Sequence, residues 1–373
     1  MIKPIVHRVV AAALALAIPA GGTAGAALAA PRAIAFLCGD SQTPQVMVDI
    51  DGTFARRSSS WQSPEVGRML KFQCYPALGR DAAGEWILVP YGSTRAWVNL
   101  SAVRFADGMS IGQLPLADQV PPAPPERMRL PGAPTVSRRV QQLYRDAVRA
   151  GRTPGMATVI GDCNSEHPVY FGRFDAGAFD LAPYPELQNA ARTFAPSFKR
   201  VSVATSGSFN AAMAFDPTWS DPKKCKADEG PLACELRLSN ASILLISLGT
   251  GDTFTWRDFE RNYKAVIDYA LASKVVPILI TKADDLETRQ GGAPADYINS
   301  VLRKLGAQYG LPVIDLALAA RQLPDGGLVK ERNVNLQLVD PFHLNEAGMD
   351  AKILLTLQTL AQFPTVTPPA RRR

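Results

Sequence analysis

The sequence predicts a doubly wound α/β domain with a parallel sheet, preceded by a small all-β region. Three observations carry this. From residue 137 onward, amphipathic stretches at helical spacing alternate with short apolar runs. The apolar runs, ASILLISLG above all, are hydrophobic throughout, as parallel strands covered on both faces must be. Residues 107–135 then separate this pattern from a β-rich one, with Pro115, Pro121, Pro122, Pro124, Pro125, Pro131 and Pro134 making a semi-extended linker and a domain boundary.

The chain opens on Lys3, His7 and Arg8, followed by VVAAALALAIPA, a run too short to span a bilayer. Pro19 and the glycines after it argue against a core helix, and Ala27-Leu28-Ala29 fits a signal-peptidase site. Residues 1–29 therefore read as a cleaved secretory signal, with a retained anchor as the lesser alternative. The mature chain is expected to be secreted or periplasmic, with no membrane span. The formal charge of +6 is dispersed, part of it in the basic tail 366–373, and no basic stripe is interleaved with aromatics. No nucleic-acid partner is expected.

Residues 33–106 contain the β-rich runs Phe36-Leu37, Val46–Val48, Lys71-Phe72, Trp86–Val89 and Ala96–Val98, separated by Gly, Pro, Asp and Ser. The stretch LGRDAAGEWILVPYGSTRAWVNLSAVRF resembles the end of a bacterial SH3-type barrel. That resemblance implies a binding role, often toward cell-wall components; Trp86 and Trp97 filling a small core is the other reading.

In the α/β domain, residues 136–365, the helices are SRRVQQLYRDAVRA, YPELQNAARTF, WRDFERNYKAVIDYALASK, ADYINSVLRKLGAQYG and EAGMDAKILLTLQTLAQF. The strands are MATVIGD, RVSVATSG, ASILLISLG, VVPILITKADD and PVIDL. Ligands of such sheets sit at the carboxyl ends of the strands. Three of those ends carry the loops GDCNSE, TSGS and GTGD. Neither a glycine-rich dinucleotide fingerprint nor a phosphate loop follows any strand, so no nucleotide is expected to bind.

Export makes disulfides admissible. Of the five cysteines, Cys38 and Cys74 both lie in the β region, and Cys225 and Cys234 are neighbours in KKCKADEGPLACE. Four cysteines allow three pairings, and this one keeps each bridge local, leaving Cys163 over. No metal site is expected: there is no CxxC, and the mature chain has only His167 and His343.

Near the C-terminus, DPFHLNEAGM sets Asp340 three residues before His343, with Gly348 beyond. A carboxylate so spaced can orient an imidazole, which can then deprotonate a hydroxyl or thiol. Cys163 follows the first strand, where backbone amides and a helix N-terminus would favour a thiolate and a developing oxyanion.

This pattern resembles the SGNH (GDSL-like) hydrolases, on a flavodoxin-like sheet. The Gly-Asp-Ser block is matched by Gly161-Asp162-Cys163, the lone oxyanion-hole glycine by Gly207, the Gly-x-Asn-Asp block by Gly249-Thr250-Gly251-Asp252, and the Asp-x-x-His block by Asp340-Pro341-Phe342-His343. The resemblance implies ester hydrolysis without metal or organic cofactor: Cys163 attacks, His343 moves the proton, Asp340 holds the ring, and the amides of Cys163, Gly207 and Gly251 bind the oxyanion. Cysteine replaces the family serine, and Gly251 replaces the oxyanion-hole asparagine, whose loss typically costs about 10²–10³ in rate. Three readings of Cys163 stay open: nucleophile, non-catalytic pocket residue, or disulfide partner.

Around this core, Ser165 is only a minor candidate to replace Cys163, because a two-residue shift on a tight turn re-aims the side chain, and His167 reads as a surface-loop histidine before a second base or substrate contact. Asp162 and Asp252 are expected to brace the loops, and Lys282 and Asp284 to form a solvated polar loop or meet substrate. The 215–237 insertion, with Trp219, either walls the pocket or is a mere structural excursion. An active ester hydrolase, with a glycan or cell-wall ester among its candidate substrates, competes with an inactive protein that binds such a fragment.

Overall fold

A computed structural model describes residues 38, 43–106, 108–120, 127–288, 291–329 and 342–366. The signal, Phe36-Leu37, Asp340 and all but the first residue of the basic tail lie outside the described residues. No helix among the described residues is long and apolar enough to cross a membrane.

The first strands are β1 (Gln45–Val48), β2 (Thr53–Arg56), β3 (Glu65–Met69), β4 (Cys74–Pro76), β5 (Gly79–Arg80), β6 (Trp86–Tyr91), β7 (Thr94–Asn99) and β8 (Val103–Phe105). They pair antiparallel in two sheets, β4-β1-β8 and β3-β2-β7-β6-β5. Alternate residues face the core: Ala96 and Val98 of β7 are buried beside Ile87 and Val89 of β6. Lys71-Phe72, expected as strand, is the turn between β3 and β4 instead. Phe72 takes a positive φ of 68° there, and its N–H donates to Val48 O at 2.7 Å. Described residues of the proline-rich stretch touch their neighbours at three places: Leu114 enters the β core, Arg80 N–H donates to Pro115 O, and Gly132 O accepts from Asp315 N–H at 2.8 Å.

The later elements alternate: α1 (Arg138–Arg149), β9 (Thr153–Gly161), α2 (Phe171–Asp175), α3 (Gln188–Thr193), α4 (Ala195–Phe198), α5 (Pro231–Ser239), β10 (Ala241–Ser247), α6 (Phe259–Ala272), β11 (Val276–Ile280), α7 (Tyr297–Tyr309), β12 (Val313–Ile314), α8 (Leu316–Ala320) and α9 (Glu346–Leu360). Strands β12-β11-β10-β9 form one parallel sheet. Strand β10 shows why its sequence is continuously apolar. Ile243 and Leu245 enter one core with α1 and α9, while Leu244 and Ile246 enter the other with α6 and α7.

The expected strand at RVSVATSG is reduced to a single parallel bridge between Thr205 and Gly161. Side chains intercept its backbone: Val203 N–H donates to buried Glu235 at 2.9 Å, and Ala204 N–H to the Ser202 hydroxyl at 3.0 Å. Even so, the bridge occupies the second place of the flavodoxin-like order 2-1-3-4-5. Loops after β9, Thr205, β10 and β11 thus converge on one rim.

Candidate active site

Gly161 ends β9 so tightly that a Cβ there would overlap the Ser165 side chain and approach Ser247 O at 2.7 Å. The chain then turns: Asp162 caps a single helical turn over Cys163–Ser165 by accepting from Asn164 N–H at 3.0 Å. Cys163 stands half-buried on this turn and is unpaired, while Cys38–Cys74 and Cys225–Cys234 are both bonded. The expected local disulfides are present, and the disulfide reading of Cys163 falls away.

Asn164 connects this turn to the His343 loop. Its Nδ2 donates to Phe342 O at 2.8 Å, and its Oδ1 accepts from Leu344 N–H at 2.9 Å. Both residues flanking His343 are therefore gripped by the residue next to Cys163. His343 O also accepts from Val329 N–H at 2.9 Å, and Asn345 caps α9 directly after the loop by accepting from Gly348 N–H. The only signal in the sequence was an Asn beside the candidate nucleophile.

The electrostatics differ from the expectation of a ready thiolate. Burial pushes the Cys163 thiol well up, and the neighbouring Asp162 charge adds to it; the Asn164 N–H and Lys352 oppose this weakly. Burial likewise pushes Asp162 up to about 6, against Lys352 and the Asn164 N–H.

Asp252 Oδ1 accepts from Ala211 N–H at 2.9 Å. Its Oδ2 has no partner among the described residues, and burial pushes the carboxyl up to about 7. Gly251 packs beneath the same loop, with the place of a Cβ only 2.5 Å from Phe209 O and 2.9 Å from Ser208 O. No side chain fits at 251 without moving the loop. Gly207 lies exposed on that loop, facing Glu166. Among the described residues, the N–H groups of Cys163, Gly207 and Gly251 meet no acceptor.

Several expected roles are corrected. Ser165 is buried, and its Oγ accepts from Lys352 Nζ at 3.0 Å, so it cannot replace Cys163. His167 is a half-buried structural residue whose Nε2 meets Phe198 O at 2.9 Å. Lys282 and Asp284 are not a solvated loop. Both are buried, with Lys282 Nζ at 2.6 Å from Asp284 and 2.5 Å from Glu287, and Thr250 donating to Asp284 at 2.7 Å. Together with Asp162 and Lys352 they line a polar cavity of about 20 Å³ under the rim, room for one water-sized group. An open groove of about 340 Å³ beside the Cys163 turn is lined by Glu166, His167, Pro168, Val201, Thr205 and Ser206. Trp219 is exposed. Among the described residues no group of acids, histidines and cysteines forms a metal site.

No family model and no curated protein matches the sequence. Among solved structures, a GDSL-like lipase from Bacteroides thetaiotaomicron is similar at 12% identity over 59% of this chain and 96% of its own, with a TM-score of 0.32. A member of the lipolytic G-D-S-L family from Veillonella parvula is similar at 11% identity over 54% of this chain and 96% of its own, with a TM-score of 0.35. A Bacillus subtilis protein spans 85% of this chain and 77% of its own at 16% identity, with a TM-score of 0.34.

Proposed function

We propose that this chain is an exported SGNH-type ester hydrolase acting on a small-molecule or glycan ester through a Cys163–His343–Asp340 arrangement. Residues 1–29 serve as its signal, 33–106 as an SH3-like unit and 136–365 as the hydrolase domain. The observation that carries this reading is the double hydrogen bond from Asn164 to Phe342 and Leu344, which sets the His343 loop against the Cys163 turn.

The raised thiol decides how the first step runs. At neutral pH, Cys163 holds its proton, so His343 takes it as Sγ attacks the ester carbonyl carbon. Asp340, by its spacing, holds the imidazole and stabilises the imidazolium. The free N–H groups of Cys163, Gly207 and Gly251 receive the oxyanion. Collapse expels the alcohol, which takes the proton back from His343 and leaves a thioester on Cys163. Water, deprotonated by His343, attacks that thioester; the acid departs and the thiol is restored. The groove beside Gly207 accommodates the rest of the ester.

Two observations favour a second reading, in which the site binds an ester-bearing glycan or cell-wall fragment without turning it over. Burial disfavours the thiolate, and the packing at Gly251 excludes the side-chain oxyanion donor. Short activated esters offered to the purified protein, to Cys163→Ala and to Cys163→Ser separate the two. The hydrolase reading expects turnover abolished by Cys163→Ala. Turnover that survives Cys163→Ala refutes Cys163 as nucleophile, and none in any folded form supports the binding protein.

A further inference from the structure

We infer that Lys352 is a positioning residue of this site, holding the Cys163 turn from beneath so that Asn164 can grip both sides of His343. The inference rests on the reading of Cys163 and His343 as the functional pair. Lys352 sits on α9, the helix that begins just after the His343 loop, and is 1% exposed. Its Nζ donates to Asn164 O at 2.8 Å, to Ser165 Oγ at 3.0 Å and to Ser247 Oγ at 3.0 Å. All three ammonium donors are thus used, two on the turn and one at the end of β10. The Tyr170 ring lies 4.4 Å from Nζ and faces the charge.

A buried ammonium is costly, and its place here is explained by what it fixes. The Cys163 turn is short, and its own bonds are the Asp162 cap and the backbone bonds Ser165 N–H to Asp162 O and Glu166 N–H to Cys163 O. Lys352 adds two anchors reaching from another element. Because Asn164 carries one of them on its backbone oxygen and grips the His343 loop with its side chain, the anchor extends to that loop.

The titratable groups that face Lys352 are Asp162 at the end of β9, Cys163 on the turn and Tyr170 before α2, with Lys282 and Asp284 lining the same small cavity. Burial lowers Lys352 to about 8, opposed by Asp162 and Cys163.

Hydrogen exchange on the full chain tests this without needing ester turnover. In Lys352→Met, the amides of Ser165 and Leu344 are expected to lose protection at least tenfold, while β10 and the second half of α9 keep theirs. If Lys352→Met does not fold, Ser165→Ala and Ser247→Ala each remove one acceptor and should lower protection at Leu344 about threefold. Unchanged Leu344 protection in the folded variants, or a loss spread evenly over the sheet, overturns the inference. Failure of the hydrolase reading appears separately, as absent turnover.

Discussion

Asp350 Oδ1 receives two hydrogen bonds from Arg173, from Nε at 3.1 Å and Nη2 at 3.0 Å, and both residues are fully buried. The partners on either side explain why. Ser93 N–H, in the β6–β7 turn, donates to the other Asp350 oxygen at 2.6 Å, and the Tyr91 ring lies 4.6 Å from the guanidinium. The β region is therefore pinned to α2 and α9 through one ion pair, and Tyr75 Oη adds a bond to Glu346 at 2.5 Å. Gly92, with φ of 60°, is needed in that turn: a Cβ there would overlap both Arg173 and Asp350.

Asp350→Asn should lower stability by about 3–5 kcal/mol, because it leaves the Arg173 charge buried without its counter-ion. Urea unfolding followed by circular dichroism measures it. A paired replacement, Arg173→Met with Asp350→Leu, should recover much of the loss, since two apolar side chains carry no desolvation cost. A loss below 1 kcal/mol for Asp350→Asn would mean that the pair is not held as described.

Asp252 makes stability depend on pH. Burial raises its folded value to about 7, above an unfolded value of about 3.9, so the folded chain binds more protons between the two. Its contribution is complete below pH about 4 and is lost as pH climbs to about 7, up to about 4 kcal/mol in all. Asp252→Asn keeps an acceptor for Ala211 N–H and removes the titration. Unfolding free energies across pH 4–8 should therefore fall less steeply in the variant than in the wild type; parallel curves would refute the assignment.

The sheet was readable because β9, β10 and β11 are short, apolar runs between helical patterns. The bridge at Thr205 was not, because Glu235 arrives from α5 to take the Val203 N–H, a long-range contact that no local pattern announces. In the site, Cys163, His343 and the glycine loops stood out by residue type and spacing. Asn164 and Lys352 did not. Lys352 lies in EAGMDAKILLTL, where a charged residue on a helix ordinarily faces solvent, and only the three-dimensional arrangement turns it under the Cys163 loop. Arg173 and Asp350 were hidden for the same reason. Each acquires its partner from a distant segment.

Gly251→Asn, which would supply the side-chain oxyanion donor that the proposed hydrolase site lacks, is expected to destabilise the fold without raising ester turnover. Its Cβ would stand 2.5 Å from Phe209 O, so the 208–211 loop that carries Gly207's neighbours must move. Overpacking of this kind costs about 1–3 kcal/mol. Thermal unfolding and an ester assay on the same preparation check both parts. A variant as stable as the wild type and faster on esters would show that the loop yields and that the side chain supplies the missing donor.

The two disulfides should contribute unequally. Cys38–Cys74 closes a sequence separation of 36 and Cys225–Cys234 one of 9. On the chain-entropy account, restricting the unfolded chain is worth about 4 kcal/mol for the longer loop and about 3 kcal/mol for the shorter. Cys38→Ser with Cys74→Ser should therefore cost more than Cys225→Ser with Cys234→Ser, measured by urea unfolding without reductant. The same preparations give the thiol count. Unreduced wild type should yield one thiol per chain, reacting slowly when folded because Cys163 is half-buried and protonated, and quickly in denaturant. Three thiols in denaturant would mean that one bridge is absent, and none would return Cys163 to a disulfide.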